Sequence, residues 1–459
     1  MPTIHLNRQM ATVLLLSAFA YTAPANALSL MEAYEAALAN DSVYQSALHE
    51  NEAGQQYKEI GRANLLPNIS ASYAYNRNNQ DLTTATQNFV GATTTRDETR
   101  NYNSQNAVIQ VRQPIINMEG WARYHQGNLQ TDLSDKQLAV RKQELIARFF
   151  GLYANAIFAE DVLALAEAQR EALQKQQEAN KLMAVRGEGT KTALIESQAK
   201  LSLAEAQVIE SQDGVSNGRN ALASMLGKEV TTLDSLSDSF KLLPAELSSY
   251  EEWQKLALDN NPEIAAQREA VEIAAQEIRR NRAGHAPRLD AVASYSKTES
   301  DSISTFRQEA DTKTIGLQLN IPIYSGGSVS ALTRQAVANH KKSQDDLETK
   351  TNQILLELRK QYSSVLSSTL RIDALKQSVE SAELLIVATK KSLMGGVRTN
   401  LDVLDARKQL FESKRDLSLA RYNYLVAYIN LKKAAGTLTS ADLEKMASYF
   451  VPKAFTISE

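Results

Sequence analysis

The 459-residue chain has no cysteine, which excludes disulfides, thiolate metal sites and cysteine nucleophiles together. It also excludes the acylated N-terminal cysteine that anchors a lipoprotein. Histidine is scarce and scattered: His5, His49, His125, His285 and His340 form no cluster. No nucleophile elbow, metal-ligand set or phosphate-cradling Gly-rich lysine loop accompanies them, so no enzymatic activity, metal or cofactor is expected. Charge of one sign is also lacking, with a net of −3 and no basic cluster, which argues against a nucleic-acid partner. Proline and glycine number only 9 and 18 in so long a chain, which points to a few very long helices rather than several globular domains. Beyond the N-terminus no apolar run approaches the roughly 18 residues of a membrane-spanning helix. That absence says nothing about barrel strands, whose alternating trace is weak.

What is present begins with an export signal. Arg8 supplies a positive start, Ala11 to Ala20 is an apolar core too short to span a bilayer, and Ala25-Asn26-Ala27 is an A-x-A cleavage site. Residues 1–27 are expected to be removed, leaving Leu28 first.

The rest of the chain repeats itself. Asn40, Arg62-Ala63, Pro67, Ala71 and Tyr75 recur 220 residues on as Asn260, Arg282-Ala283, Pro287, Ala291 and Tyr295. Ile109-x-Val111-x-x-Pro114-Ile115 returns as Leu317-x-Leu319-x-x-Pro322-Ile323, and the segment Gly189 to Leu194 as Gly396 to Leu401. The matches keep their order, as a duplication with altered loop lengths requires.

Each copy carries two alternating segments. Ile69, Ala71, Tyr73 and Tyr75 point opposite to Ser70, Ser72, Ala74 and Asn76, and Ala107, Ile109 and Val111 opposite to Val108, Gln110 and Arg112. Between them residues 77–103 read as a long solvated loop. In the second copy Leu289, Ala291, Ala293 and Tyr295, then Ile315, Leu317, Leu319 and Ile321, alternate in the same way around a loop near 297–311. Segments of about ten residues with one polar face suit strands crossing a bilayer. A soluble hairpin packed on a helix shows the same alternation; the export signal and the paired recurrence favour the membrane.

Between the hairpins lie long helices. A proline-free run from Met118 to about Ala184 would span on the order of 100 Å. Leu138, Leu145, Phe149 and Leu152, and later Leu355, Leu358, Tyr362, Val365, Ile372 and Leu375, recur with the period near 3.5 of coiled-coil packing. Phe149-Phe150 is expected to serve that packing rather than a ligand. Glycines break the runs near Arg186–Thr190 and Met394–Thr399, and return helices run to about Leu226 and Ala435. The expected organisation is a first repeat over 28–247 and a second over 248–436. The first holds an opening helix near 29–63, a hairpin at about 67–115, long helices at about 118–226 and a mixed segment 227–247. The second holds a helix, a hairpin at about 287–323 and long helices at about 324–435, with a C-terminal segment 437–459. Pro114 and Pro322 are read as ends of strand ladders, and Gly326-Gly327 as the bend from strand to helix.

Four strands cannot close a barrel, and an open edge in lipid leaves backbone groups unsatisfied. Barrels begin at about eight strands, so copies must join edge to edge, and about twelve or more strands enclose an aqueous lumen. Helices of this length must project out of the membrane. A coiled-coil adhesin or scaffold would explain the helices but has no need of two alternating hairpins. The geometry describes a conduit.

At this level of detail the chain resembles the TolC family of outer-membrane export channels over nearly its whole mature length. The resemblance rests on the segments Leu319 to Gly327, Gly396 to Ala406 and Arg421 to Leu425, together with the repeat. It implies an α+β membrane protein, a homotrimer in which four strands per chain build a twelve-stranded outer-membrane β-barrel in contact with lipid. A long periplasmic α-helical coiled-coil barrel continues it. It implies as partners a periplasmic membrane-fusion adaptor protein and an inner-membrane ABC transporter or proton-driven efflux pump, the transporter supplying the energy. Asp402 and Asp405, three apart on one helix face, would form acidic rings at the narrow periplasmic end and favour cations. Arg398, one turn earlier, matches a family position that links neighbouring helices in the closed state. The chain departs from the family pattern at the latch: a tyrosine is replaced by Leu393 and an acidic partner by Ile195. Glu196 or Glu188 could substitute. Two tasks compete within the family, export of a protein substrate by a type I secretion system and efflux of small toxic molecules; the missing lipoprotein cysteine favours secretion.

Overall fold

The computed structural model describes residues 28–451, apart from 88, 238–239, 241, 243–248 and 302–306. The expected signal 1–27, part of the segment 227–247 and the end of the C-terminal segment lie outside the described residues. In chain order the first half contains α1 (Leu30–Asn40), α2 (Ser42–Gly54), α3 (Gln56–Ala63), β1 (Asn68–Gln87), β2 (Thr93–Ile116), α4 (Met118–Val185), α5 (Lys191–Leu226) and β3 (Ser235–Leu236). The second contains α6 (Tyr250–Asn260), α7 (Pro262–Arg282), β4 (Arg288–Ser300), β5 (Gln308–Asn320), α8 (Ser328–Met394), α9 (Asn400–Ala434), α10 (Ser440–Ala447) and β6 (Phe450–Val451). The halves correspond closely: α4 and α8 have 68 and 67 residues, α5 and α9 have 36 and 35.

The hairpins join in one antiparallel sheet of order β1-β2-β4-β5, so the two copies meet along β2 and β4 while β1 and β5 are unpaired edges. The register aligns Ala71 with Ile109, Ile109 with Tyr295, and Ala293 with Ile315, placing the apolar residues of all four strands on one face. These residues are uncovered: Ile69 is 69% exposed and Ile315 90%. Ser70, Gln110, Ser294 and Thr314 line the opposite face.

The sheet differs from the sequence expectation at its far end. Residues 77–103 are not mainly loop, because β1 and β2 stay paired from Asn68↔Arg112 out to Gln87↔Thr93. Beyond the Ser104↔Ser300 pair, where β4 ends, this hairpin continues as a two-stranded finger. Its Asn-, Thr- and Arg-rich sequence is polar on both faces, so no alternation marks it, yet the ladder needs only backbone groups and Thr suits strands. The strands accordingly run to 20 and 24 residues in the first copy and 13 each in the second, rather than about ten. Pro114 does not end its ladder either: β2 continues to Ile116 through a register shift between the two. A bulge accommodates the missing N–H. The opening helical stretch is three helices, broken at Asp41 and Gln55. Asp41 ends α1 in an extended conformation while its carboxylate caps α2 by accepting from the Tyr44 N–H.

The core lies midway along the long helices. Leu145, Ile146, Phe149, Phe150 and Tyr153 of α4 are fully buried against α1, the end of α5, the middle of α9 and α10. One stretch of α4 is apolar enough by composition to cross a membrane, but 44% of it is buried inside the molecule, in keeping with a core role. The two-stranded β3–β6 sheet and the Leu28–Leu233 bridge close this belt. A buried ion pair, Lys432 Nζ to Asp442 Oδ1 at 2.6 Å, ties α9 to α10. In the second copy Trp253 and Ala257 of α6 pack on Leu358 of α8.

Candidate functional site

The helices end, far from the sheet, in two hairpin turns that are repeats of each other. Gly187 and Gly396 take left-handed φ values of 77° and 75°, which a side chain at either position would strain. Three residues past each glycine a threonine caps the return helix, Thr190 accepting from the Ala193 N–H and Thr399 from the Asp402 N–H. The shared Gly-x-x-Thr pattern is thus a turn-and-cap device, and it pairs Gly187 with Gly396 and Thr190 with Thr399, two residues away from the Gly189–Gly396 register that the sequence repeat suggests.

The acidic pair sits on the first turns of α9, with each carboxylate partnered. Asp402 reaches back to the Thr399 N–H at 2.7 Å and hydroxyl at 2.9 Å, and pairs with Arg398 Nη1 at 3.2 Å. The Thr399 bonds, with the Arg398 guanidinium behind them, hold its carboxyl below the usual aspartate range. Asp405 accepts from Lys200 Nζ of α5 at 2.8 Å, across the gap between the two hairpins. Arg398 therefore bonds within its own turn, and Asp405 holds the neighbouring hairpin.

Glu188 and Glu196 face a different space. A cleft of about 640 Å³ separates the tips of the two hairpins, and both glutamates line it, opposite Leu393 and Asn400. Asp402, Asp405 and Arg398 do not line it. Beside the cleft is an amide cluster that sequence reasoning missed. Asn180, 3% exposed on α4, accepts from Gln176 at 3.2 Å and from Asn400 Nδ2 at 3.1 Å, and donates to the Ala193 carbonyl at 3.3 Å. Gln176 also donates to Asn400 Oδ1 at 3.2 Å. Three of these contacts join α4 to α5 and α9, and the fourth, Gln176 to Asn180, lies within α4. Asn180 could have been found as a polar residue at a coiled-coil packing position. Lys200 could not, since nothing along the chain links it to Asp405.

The strand-to-helix residues lie at the other end. Gly326 and Gly327 have φ values of 61° and 80°, and Gly327 is the left-handed N-cap of α8. Pro322 lies two residues beyond Asn320, the last residue of β5. Among the described residues no group of acidic or histidine side chains could hold a metal ion.

Comparison with known proteins follows the same outline. A family model described as outer membrane efflux protein matches residues 33–228 and 253–437, one span in each repeat. The alkaline protease secretion protein AprF of Pseudomonas aeruginosa is 40% identical over 430 residues, 93% of this chain and 88% of that one. The proteases secretion protein PrtF of Dickeya chrysanthemi is 38% identical over 429 residues, 93% of this chain and 92% of that one. Among solved structures the Campylobacter jejuni CmeC outer membrane channel aligns over 98% of each chain with a TM-score of 0.76 at 16% identity.

Proposed function

This chain belongs to the outer membrane efflux protein family, that of the TolC-type channels, and on that premise we propose that it is the outer-membrane conduit of a type I secretion system. The observation that carries the conduit is the four-stranded sheet, apolar on one face, polar on the other and unpaired at both edges. In lipid such a sheet is stable only when copies close it, and three copies give a twelve-stranded barrel with the polar face inside. Trp121 and Tyr324, 50% and 85% exposed where sheet meets helices, suit the aromatic belt at a membrane boundary. The helices then stand in the periplasm.

A trimer also accounts for the uncovered seam of α8. Leu356, Leu366, Leu370, Leu384, Val387 and Met394 are exposed, at intervals that fit two positions of a heptad. The helices of a neighbouring copy would cover them. The relatives AprF and PrtF, named for secretion of proteases, support protein rather than drug as cargo. With no catalytic or nucleotide site in the sequence, energy and opening are assigned to an inner-membrane ABC transporter acting with a periplasmic adaptor.

For the periplasmic end, the proposal is that Asp402 and Asp405 give the entrance its preference for cations, with Lys200 offsetting part of the charge. Glu188 and Glu196 add acidity at the cleft, and Arg398 steadies the turn. The test of function is complementation. Expressed in a strain carrying a protease transporter and adaptor but lacking their outer-membrane component, the chain should restore protease to the medium. Rescue of drug resistance in a channel-deficient strain without rescue of secretion would instead favour efflux.

A further inference from the structure

The polar face of the sheet is almost uncharged. Where all four strands run side by side it consists of Ser, Asn, Gln, Thr, Gly, Ala and Val, save for Arg112, Arg288 and Asp290. These three sit together at the helix end of the sheet. Asp290, 5% exposed, accepts from Arg288 Nε at 3.1 Å, while Arg112 Nε stands 3.9 Å from it, beyond hydrogen-bond reach. Arg112 makes one long contact, Nη2 to Gln318 Oε1 at 3.4 Å, and its buried Nε has no hydrogen-bond partner.

Arg112 and Arg288 open onto a cleft of about 410 Å³ between the sheet and the start of α4. A third guanidinium, Arg123, lines the same cleft and is matched by Glu119, which it grips through Nη2 at 2.6 Å and Nε at 2.9 Å. Asn64 and Asn117 complete a polar wall. Three guanidinium groups thus face two carboxylates, leaving one surplus positive charge per chain with donors to spare. A planar fork of N–H donors with an unfilled valence, set in a cleft, is the arrangement that binds oxyanions.

We infer that this cleft is an oxyanion-binding site at the level where barrel joins helices, built around Arg112 and repeated by each copy as a basic collar in the lumen. The inference rests on the conduit reading, which puts the polar face of the sheet inside. The chemistry of the ligand is the multivalent oxyanion, whether the clustered carboxylates of a passing polypeptide or a polyphosphate. The conduit then carries charge of opposite sign at its two ends, acidic at the periplasmic entrance and basic below the barrel. A collar of this kind would draw small anions to its level and offer acidic stretches of cargo a transient hold.

The test is conductance of the purified oligomer in planar bilayers, with tripolyphosphate or a pentaglutamate peptide added as blocker. Arg112→Gln leaves Asp290 paired to Arg288 and should raise the half-blocking concentration about tenfold, the worth of one charge-assisted bond. Arg112→Lys should recover part of that loss. Asp290→Asn removes the competing carboxylate and should make block tighter. Block by both compounds identifies a site open to carboxylates, and block by tripolyphosphate alone a phosphate site; either result supports the collar. Wild-type channels that conduct but are blocked by neither compound, or block that is equal in all variants, would overturn it. A protein that inserts and never conducts would instead sink the conduit reading.

Discussion

Lys200 changes what the acidic pair can do. Asp405 shares its charge with that lysine and Asp402 with Arg398, so the entrance proposed for them would be less acidic than two bare carboxylates per chain. Lys200→Met should therefore raise the cation preference of the channel, and Asp402→Asn with Asp405→Asn should lower it; reversal potentials in a KCl gradient read both. No change in either variant would place the selective constriction elsewhere. The buried Lys432–Asp442 pair belongs to the equatorial core. Lys432→Met leaves a carboxylate buried without its cation and should cost about 3–5 kcal/mol, seen as a lower melting temperature. Adding Asp442→Leu should recover most of that loss, since an apolar pair of similar volume is tolerated. A double variant no more stable than the single one would show that the pair acts through its other contacts.

Among the elements, α4 and α8 are of nearly equal length but face different surroundings. The first buries Phe149, Phe150 and Tyr153 inside its own chain, whereas the second leaves Leu356, Leu366 and Leu370 uncovered. Leu370→Glu should therefore leave the chain folded but prevent its assembly, read as a monomer by light scattering in detergent. An intact oligomer would mean that the seam lies on the outer wall. The helix ends were legible in the sequence, because Gly187, Gly396, Thr190 and Thr399 are specific turn and cap residues. The strand ends were not. Residues 77–103 are polar on both faces, and the period-two signal that marks a strand vanishes when neither face is buried.

For the molecule as a whole, length is the simplest check. A 68-residue helix extends about 100 Å, and a 13-residue strand adds about 40 Å before tilt. Electron microscopy of the detergent-solubilised protein should show a hollow, threefold cylinder of roughly that summed length. A solid rod or an extended fibre would refute the tube. The length of α4 would separate the proposed collar from the proposed entrance, so the two should respond to mutation independently.

The amino-acid sequence alone determined the repeat, the helix lengths, the turns and the need for partners, because periodicity and glycine placement are local and a four-stranded sheet in lipid cannot stand alone. The tertiary structure decided which charges are free. Lys200 and Asp405 lie 205 positions apart, and Asn180 and Asn400 lie 220 apart, yet both pairs are in hydrogen-bond contact. Arg112 and Asp290 meet only because the two copies pair along β2 and β4. Such contacts depend on how long helices and strands align across the fold, and no spacing along the chain records that alignment.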